Sequence, residues 1–205
     1  VLGMPFALLP AVNAHQFGGG ARTLGLLAAA PGVGGLVGSV VSGPVGHVSR
    51  PGRAMLVAVT VWGAAVAGFG LSRSLPLSLV LLALAGAADT TSVVFRGTIV
   101  QTATPDGLRG RVGAADYVVG LAGPHLGNVR AGVVGSVTSP AVSALSGGVA
   151  TVVGAGLVAL TVPALARYDA RSATDTLASD TRRHDPAGSE GEERADDRAA
   201  ARRPG

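Results

Sequence analysis

The fold of this chain is decided by the stretch from Leu75 to Val112, which reads LPLSLVLLALAGAADTTSVVFRGTIVQTATPDGLRGRV. It begins as an apolar run long enough to form a helix that crosses a bilayer, for which roughly 20 residues suffice. That run carries a carboxylate, Asp89, and a guanidinium, Arg96, and it ends in a short polar turn. A second apolar run follows directly. Two apolar helices joined by a tight basic turn predict a polytopic membrane protein.

The composition agrees with this prediction. The chain is 48% hydrophobic with a mean hydropathy of +0.47, and only 14% of its residues are charged, against roughly 25% in soluble domains. Residues 1–167 hold nine Arg and three acids, whereas residues 168–205 hold seven Arg and nine acids. The sequence therefore divides into an apolar part and a polar tail that cannot bury enough surface to fold alone.

Several classes of function are not expected. The chain has no Cys, which excludes a disulfide framework and thiolate metal sites. Its basic residues form no dense patch with interleaved aromatics, so nucleic-acid binding is not predicted. The glycines at 32, 34 and 38 follow no strand and lack the spacing of a dinucleotide loop. We also find no nucleophile spaced from a base, and we expect neither an enzyme nor a cofactor.

The apolar runs predict an all-α bundle of six transmembrane helices over residues 1–167, followed by a disordered cytoplasmic tail over residues 168–205. The first run looks clipped at its front, so we expect a truncated or mis-started chain. The predicted spans are Val1–Gly18, Thr23–Val45, Arg53–Leu71, Leu75–Gln101, Val112–Val137 and Pro140–Ala166.

Small residues within the spans predict close helix packing, because they let backbones approach each other in lipid. Gly34 and Gly38 have the four-residue spacing that places both on one helix face. A longer series with the same spacing is expected to line one side of the fifth helix: Gly123, Gly127, Ala131 and Gly135. Five prolines also fall within predicted spans, where each removes a backbone donor: Pro5, Pro10, Pro31, Pro124 and Pro163.

The basic turns predict the orientation. Arg50 and Arg53 follow the second span, and Arg109 and Arg111 follow the fourth. Cytoplasmic loops carry an excess of basic residues, so these turns are expected in the cytoplasm. Six spans then place the C-terminal tail in the cytoplasm as well, in a multi-pass protein of the plasma (inner) membrane.

Two turns carry a resemblance to a known family. The stretch GSVVSGPVGH at 38–47, followed by RPGR at 50–53, resembles the cytoplasmic loop motif of major facilitator superfamily transporters. The turn TPDGLRGRV at 104–112 resembles the PDxLRGRV turn of the enterobactin-exporter-like branch. The residues that carry these motifs are Gly38, Arg50, Gly52, Arg53, Pro105, Asp106, Arg109, Gly110 and Arg111.

The resemblance covers about residues 1–170 and only the second six-helix half of a full member. It implies the C-terminal half of a proton-coupled exporter of a siderophore or an amphipathic small molecule. The expected partners are the lipid bilayer and a small-molecule substrate. Transport would also require a separate N-terminal half, a longer reading frame or self-association. The alternative is a non-transporting membrane fragment or interaction partner.

Asp89 and Arg96 are the leading candidates for the substrate or proton pathway. An ionisable group within a span is costly and faces a cavity or a partner, so Asp89 is a candidate proton carrier or substrate contact. The structural alternatives are an ion pair with Arg96 or a hydrogen bond to Thr90 or Ser92. Arg96 lies nearer the cytoplasmic end, and its alternative is to extend its charge towards the head groups.

The fifth span adds three pathway candidates, His125, Asn128 and Arg130. Histidine can exchange a proton near neutral pH, which suits proton coupling, although a packed or cavity-lining histidine is the alternative. Asp116 lies near the basic turn, where an ion pair with one of the turn arginines is expected.

Overall fold

The computed structural model describes residues 6–45, 51–104 and 106–162, and within these ranges all regular structure is helical. The prediction of an all-α protein is thereby confirmed for the described part. The six α-helices are α1 (Leu9–Gln16), α2 (Ala21–Val45), α3 (Pro51–Leu71), α4 (Leu75–Ala103), α5 (Arg109–Val137) and α6 (Pro140–Thr161). Short 3-10 turns, Phe6–Leu8 and Asp106–Leu108, precede α1 and α5.

Among the described helices, four are long and apolar enough to cross a membrane: Ala21–Ser42, Pro51–Leu71, Leu75–Gln101 and Pro140–Thr161. Six spans are therefore not confirmed. Within the described part of the predicted first span, which begins at Phe6, the α-helix is α1 of eight residues, about 12 Å of helix. The predicted fifth span forms a helix of 29 residues that starts at Arg109 rather than Val112. Asp116, His125, Asn128 and Arg130 make it too polar to count as an apolar span by composition.

α2 and α4 pack backbone to backbone through small residues. A methyl group on Gly34 would collide with the backbone of Ala83, and one on Gly86 would collide with that of Pro31. One turn further on, a Cβ on Gly38 would lie 2.6 Å from the carbonyl oxygen of Ala87. The predicted packing role of the Gly34 and Gly38 spacing is thus confirmed. Small residues allow this approach because a larger side chain would hold the helices apart.

Two hydrogen bonds between hydroxyl groups add to the packing of α4 against its neighbours. Towards the end of α2, the buried Ser42 hydroxyl lies 3.1 Å from the Thr91 hydroxyl of α4. At the turn between α3 and α4, the buried Ser78 hydroxyl donates to Ser72 Oγ at 3.0 Å. In hydrocarbon such pairs satisfy groups that would otherwise lack a partner, for a modest gain each.

α3 packs along both α4 and α6. Its contact with α6 again depends on glycine: a Cβ on Gly70 would lie 2.7 Å from the Ala141 carbonyl oxygen, and one on Gly148 would collide with the backbone at Ala67. Phe69 and Leu82 are fully buried in the apolar core between these helices.

α5 packs chiefly on α6 and on the N-terminal turn, and it touches α4 only slightly. Gly123, Gly127 and Ala131 are buried along one side of the helix, as the spacing predicts. The series continues at Gly135, where an added Cβ would lie 2.9 Å from Leu8. The slight contact between α4 and α5 leaves the space in which the candidate site lies.

The turn between α1 and α2 is held by Asn13, a polar residue that is buried at the end of α1. Its side-chain amide nitrogen donates to the Gly20 carbonyl at 3.1 Å, and its backbone carbonyl oxygen accepts from the backbone N–H groups of Phe17 and Gly19. Gly18 and Gly19 have φ of +80° and +75°, a conformation that glycine adopts readily.

Some expectations fall outside the described residues. They concern the predicted tail at 168–205, the motif residues Arg50 and Pro105, and the prolines at 5 and 163. They stay predictions.

Candidate functional site

A cavity of about 510 Å³ lies between α2, α3, α4 and α5. It sits at the middle of each helix: Trp62 lies near the centre of α3, Asp89 is the central residue of α4, and Pro124 lies near the centre of α5. The lining is mostly apolar, with a few polar side chains: Pro31, Gly32, Gly35, Met55, Val59, Trp62, Gly86, Asp89, Thr90, Ser92, Val93, Arg96, Val119, Gly120, Pro124 and Asn128. Apolar walls with a few placed polar groups are typical of small-molecule sites.

Asp89 lines this cavity without a partner among the residues that the structure describes. The sequence alternatives were an ion pair with Arg96 or a hydrogen bond to Thr90 or Ser92. The structure shows neither. Arg96 stands about 10 Å further along the same helix, at 1.5 Å per residue, and its guanidinium turns to α5. The Asp89 carboxylate is thus available to a ligand or a proton within the cavity.

Arg96 joins α4 to α5. Its Nε lies 3.4 Å from Oδ1 of Asp116, and both side chains are about one-third exposed, 32% and 30%. The guanidinium lies over Gly120, where an added Cβ would be 3.2 Å from Nη2. The Nε makes no hydrogen bond in this geometry, so the contact is an ion pair held by charge. Sequence analysis expected a turn arginine as the partner of Asp116; the partner shown is Arg96, because the length of its side chain spans the gap between the helices.

Two further polar atoms at the cavity are buried without a partner in the described part of the chain. They are Nε1 of Trp62, a donor, and Oδ1 of Asn128, an acceptor. A buried polar group without a hydrogen bond is costly, and such groups are expected where a ligand or water completes the site. Asn128 was among the sequence candidates; Trp62 was not.

His125 and Arg130 lie outside the cavity lining. His125 is exposed on the surface of α5. Arg130 instead ties α5 to α6: its Nη2 donates to the Ser143 carbonyl at 3.1 Å, its Nη1 lies 3.4 Å from Ser146 Oγ, and Gly147 leaves room for the guanidinium. These contacts favour a packing function for Arg130. A pathway function for either residue stays a prediction.

Apart from Gly38, the loop-motif residues that the structure describes lie where α3 begins and where α4 is followed by α5, and none of them lines the cavity. Gly52 is buried at the start of α3, whereas Arg53 is exposed beside it. At the start of α5, Arg109 Nε donates to the Thr104 carbonyl at 3.4 Å, which bridges the end of α4. Gly110 and Arg111 are exposed there. The motifs therefore shape turns rather than the candidate site.

Sequence reasoning missed the apolar wall of the site. Met55, Val59 and Trp62 lie on one face of α3, which carries no charged residue between Arg53 and its end. Nothing in an apolar span distinguishes a cavity wall from a lipid-facing side. The available signal was that Trp62 is the single Trp of the chain, and tryptophan usually finds a hydrogen-bond partner when buried.

A bundle of apolar helices with an ionisable side chain in a cavity at the middle of the helices is typical of multi-pass membrane proteins. The chain belongs to the transmembrane secretion effector family, whose model matches residues 4–186. The predicted membership of the major facilitator superfamily, in its enterobactin-exporter-like branch, is confirmed by this match and by the relatives.

The relatives are exporters. The chain is 32% identical over 158 residues to the enterobactin exporter EntS of Citrobacter koseri, covering 77% of this chain and 37% of the relative. It is 30% identical over 148 residues to the protein of the same name from Shigella flexneri, covering 72% of this chain and 36% of the relative. The chain thus spans little more than a third of the curated relatives' length. No solved structure matches it.

Proposed function

We propose that this chain forms the C-terminal, six-helix half of a secondary transporter that exports an amphipathic small molecule or a siderophore in exchange for protons. The observation that carries the proposal is the cavity at the middle of α2, α3, α4 and α5, with the unpartnered Asp89 in its lining. In transporters of this kind, substrate sites lie near the bilayer midplane, at the interface between repeated halves. Membership of an exporter family supports the same function.

Asp89 is suited to proton exchange by its position. It stands at the centre of α4, where a lone carboxylate in hydrocarbon would be costly. A bound proton or a cationic ligand removes that cost, and the two compete for one carboxylate. Competition of this kind couples the release of one to the binding of the other, which is the requirement of an exchanger.

Two prolines in the cavity lining are sites at which helices can bend, as an alternating change of access requires. Pro31 on α2 and Pro124 on α5 both line it and both lie inside helices. A proline within a helix removes one backbone hydrogen bond and is a site of bending. A second six-helix half, on a separate chain or on the same one, would complete the opposite wall.

The proposed setting is the plasma (inner) membrane, with the turns near Arg53 and Arg109 on the cytoplasmic side, the tail in the cytoplasm, and no enzymatic step. The test measures flux in inverted membrane vesicles from cells that produce the chain in its natural reading frame. A pH gradient, acid inside, should drive accumulation of a fluorescent amphipathic probe, and a protonophore should abolish it.

Vesicles that lack the chain provide the background. A gradient-dependent flux above that background supports the proposal. Equal flux with and without the chain, at verified membrane insertion, would instead favour the non-transporting fragment.

A further inference from the structure

The charge of the cavity can be assigned residue by residue. Of the side chains that line it, Asp89 and Arg96 are the charged ones. The Arg96 guanidinium is paired with Asp116 at 3.4 Å, so its charge is balanced from α5. Asp89 has no such partner in the described part of the chain. The cavity therefore presents one uncompensated negative charge.

The apolar wall faces the same space. Met55, Val59 and Trp62 on α3 and Val119 on α5 provide aliphatic, thioether and indole surface. An indole face attracts cations through its ring quadrupole, and methionine packs well against aromatic groups. The wall thus suits an apolar, preferably aromatic, ligand body.

We propose that this cavity binds an amphipathic cation, with the cationic group at Asp89 and the apolar body against Trp62 and its neighbours. The proposal rests on the proposed function, because it names the substrate class of the same site. The unpartnered Trp62 Nε1 and Asn128 Oδ1 add a donor and an acceptor, which suit a ligand that also carries hydroxyl or amide groups. An anionic ligand is disfavoured, because the positive charge of Arg96 is already balanced by Asp116.

Trp62 also supplies the measurement. It is the single Trp of the chain and it lines the cavity, so its fluorescence reports directly on occupancy. The purified chain in neutral detergent micelles would be titrated with tetraphenylphosphonium, a cation, and with tetraphenylborate, an anion of the same shape. The quantity compared among variants is the ratio of the two affinities, because partition of each probe into micelles then cancels.

Two variants test the charge assignment, and both should shift the affinity ratio from the wild-type value towards the anion. Asp89→Asn should lower the cation affinity at least tenfold and leave the anion affinity unchanged. Asp116→Asn frees Arg96, so it should lower the cation affinity and raise the anion affinity. Arg73→Gln, on the exposed turn between α3 and α4, changes charge outside the cavity and should keep the wild-type ratio.

The proposal is overturned if Asp89→Asn keeps the wild-type ratio, or if Asp116→Asn does not shift the ratio towards the anion. If Asp89→Asn does not fold, as judged by helical content and elution volume, Asp116→Asn decides alone. Binding and flux separate the two proposals. Cation-selective binding without gradient-driven flux would contradict transport only, and flux without cation-selective binding would contradict the substrate class only.

Discussion

The Arg96 guanidinium of α4 lies 3.4 Å from the Asp116 carboxylate of α5 and rests on Gly120. These two helices otherwise touch only slightly. The ion pair therefore joins the two helices beside the cavity and neutralises the basic group that lines it. Asp89 is left as the free charge at the centre of the site.

Breaking this ion pair should have a modest effect on stability, because both side chains are partly exposed. We expect Arg96→Gln or Asp116→Asn to lower the free energy of unfolding by about 0.5–1 kcal/mol, measured as a fall of a few degrees in melting temperature in detergent. The charge-swapped double variant, Arg96→Asp with Asp116→Arg, should recover part of the loss. A double variant that is less stable than both single variants would show that the pair does not act through charge.

The glycine contacts between α2 and α4 should be far less tolerant. Gly34→Ala and Gly86→Ala each place a methyl group into the facing backbone, and overpacking of this kind costs about 1–3 kcal/mol. Gly25→Ala on the same α2 is the matched control, since nothing lies within 4 Å of its Cβ position. The yield of folded, monodisperse protein should fall for the first two variants and not for the control. Equal yields for all three would contradict the close packing of α2 on α4.

Arg130 should behave as a packing residue. Arg130→Ala removes its contacts with the Ser143 carbonyl and Ser146 Oγ. The carbonyl keeps its hydrogen bond from the Ser146 hydroxyl, so the expected loss is that of a hydrogen bond to a charged group, about 1.5–3 kcal/mol. The exposed Arg53→Ala variant, at the start of α3, is the control and should melt within a degree of wild type. If Arg130→Ala melts normally but loses flux, the pathway function that the sequence suggested for Arg130 would be the better account.

The sequence predicted the helices and their small-residue faces, because hydrophobic runs and the spacing of Gly34 and Gly38 depend on local periodicity. It did not predict which helices touch. The predicted partner of Asp116, a turn arginine, was wrong for this reason. The turn arginines are nearest along the chain, but Arg96 is the residue that lies beside Asp116 in space. The site was predicted on α4 from Asp89, whose cost in an apolar span is visible in sequence. The wall formed by Trp62 depends on helix rotation, which sequence does not encode locally.

The proposed orientation can be tested with single cysteines, because the chain has none of its own. A cysteine at Gly107, which is exposed with open space at its Cβ position, should react only with a reagent supplied from the cytoplasm. So should one at Ser49, in the basic loop before α3. Cysteines at the exposed Ser74, between α3 and α4, and at Ser139, between α5 and α6, should react only from the opposite side. The reverse pattern would overturn the orientation inferred from the basic turns.

The function of Asp89 is tested most directly by Asp89→Asn, which keeps the shape and most hydrogen bonding of the side chain but removes its charge. The measurement is pH-gradient-driven flux in inverted vesicles that contain equal amounts of inserted protein. We predict that Asp89→Asn reduces the flux at least tenfold, while His125→Gln, outside the cavity lining, loses much less. Flux at the wild-type rate in Asp89→Asn vesicles would contradict the assignment of Asp89 as the group that exchanges protons for substrate.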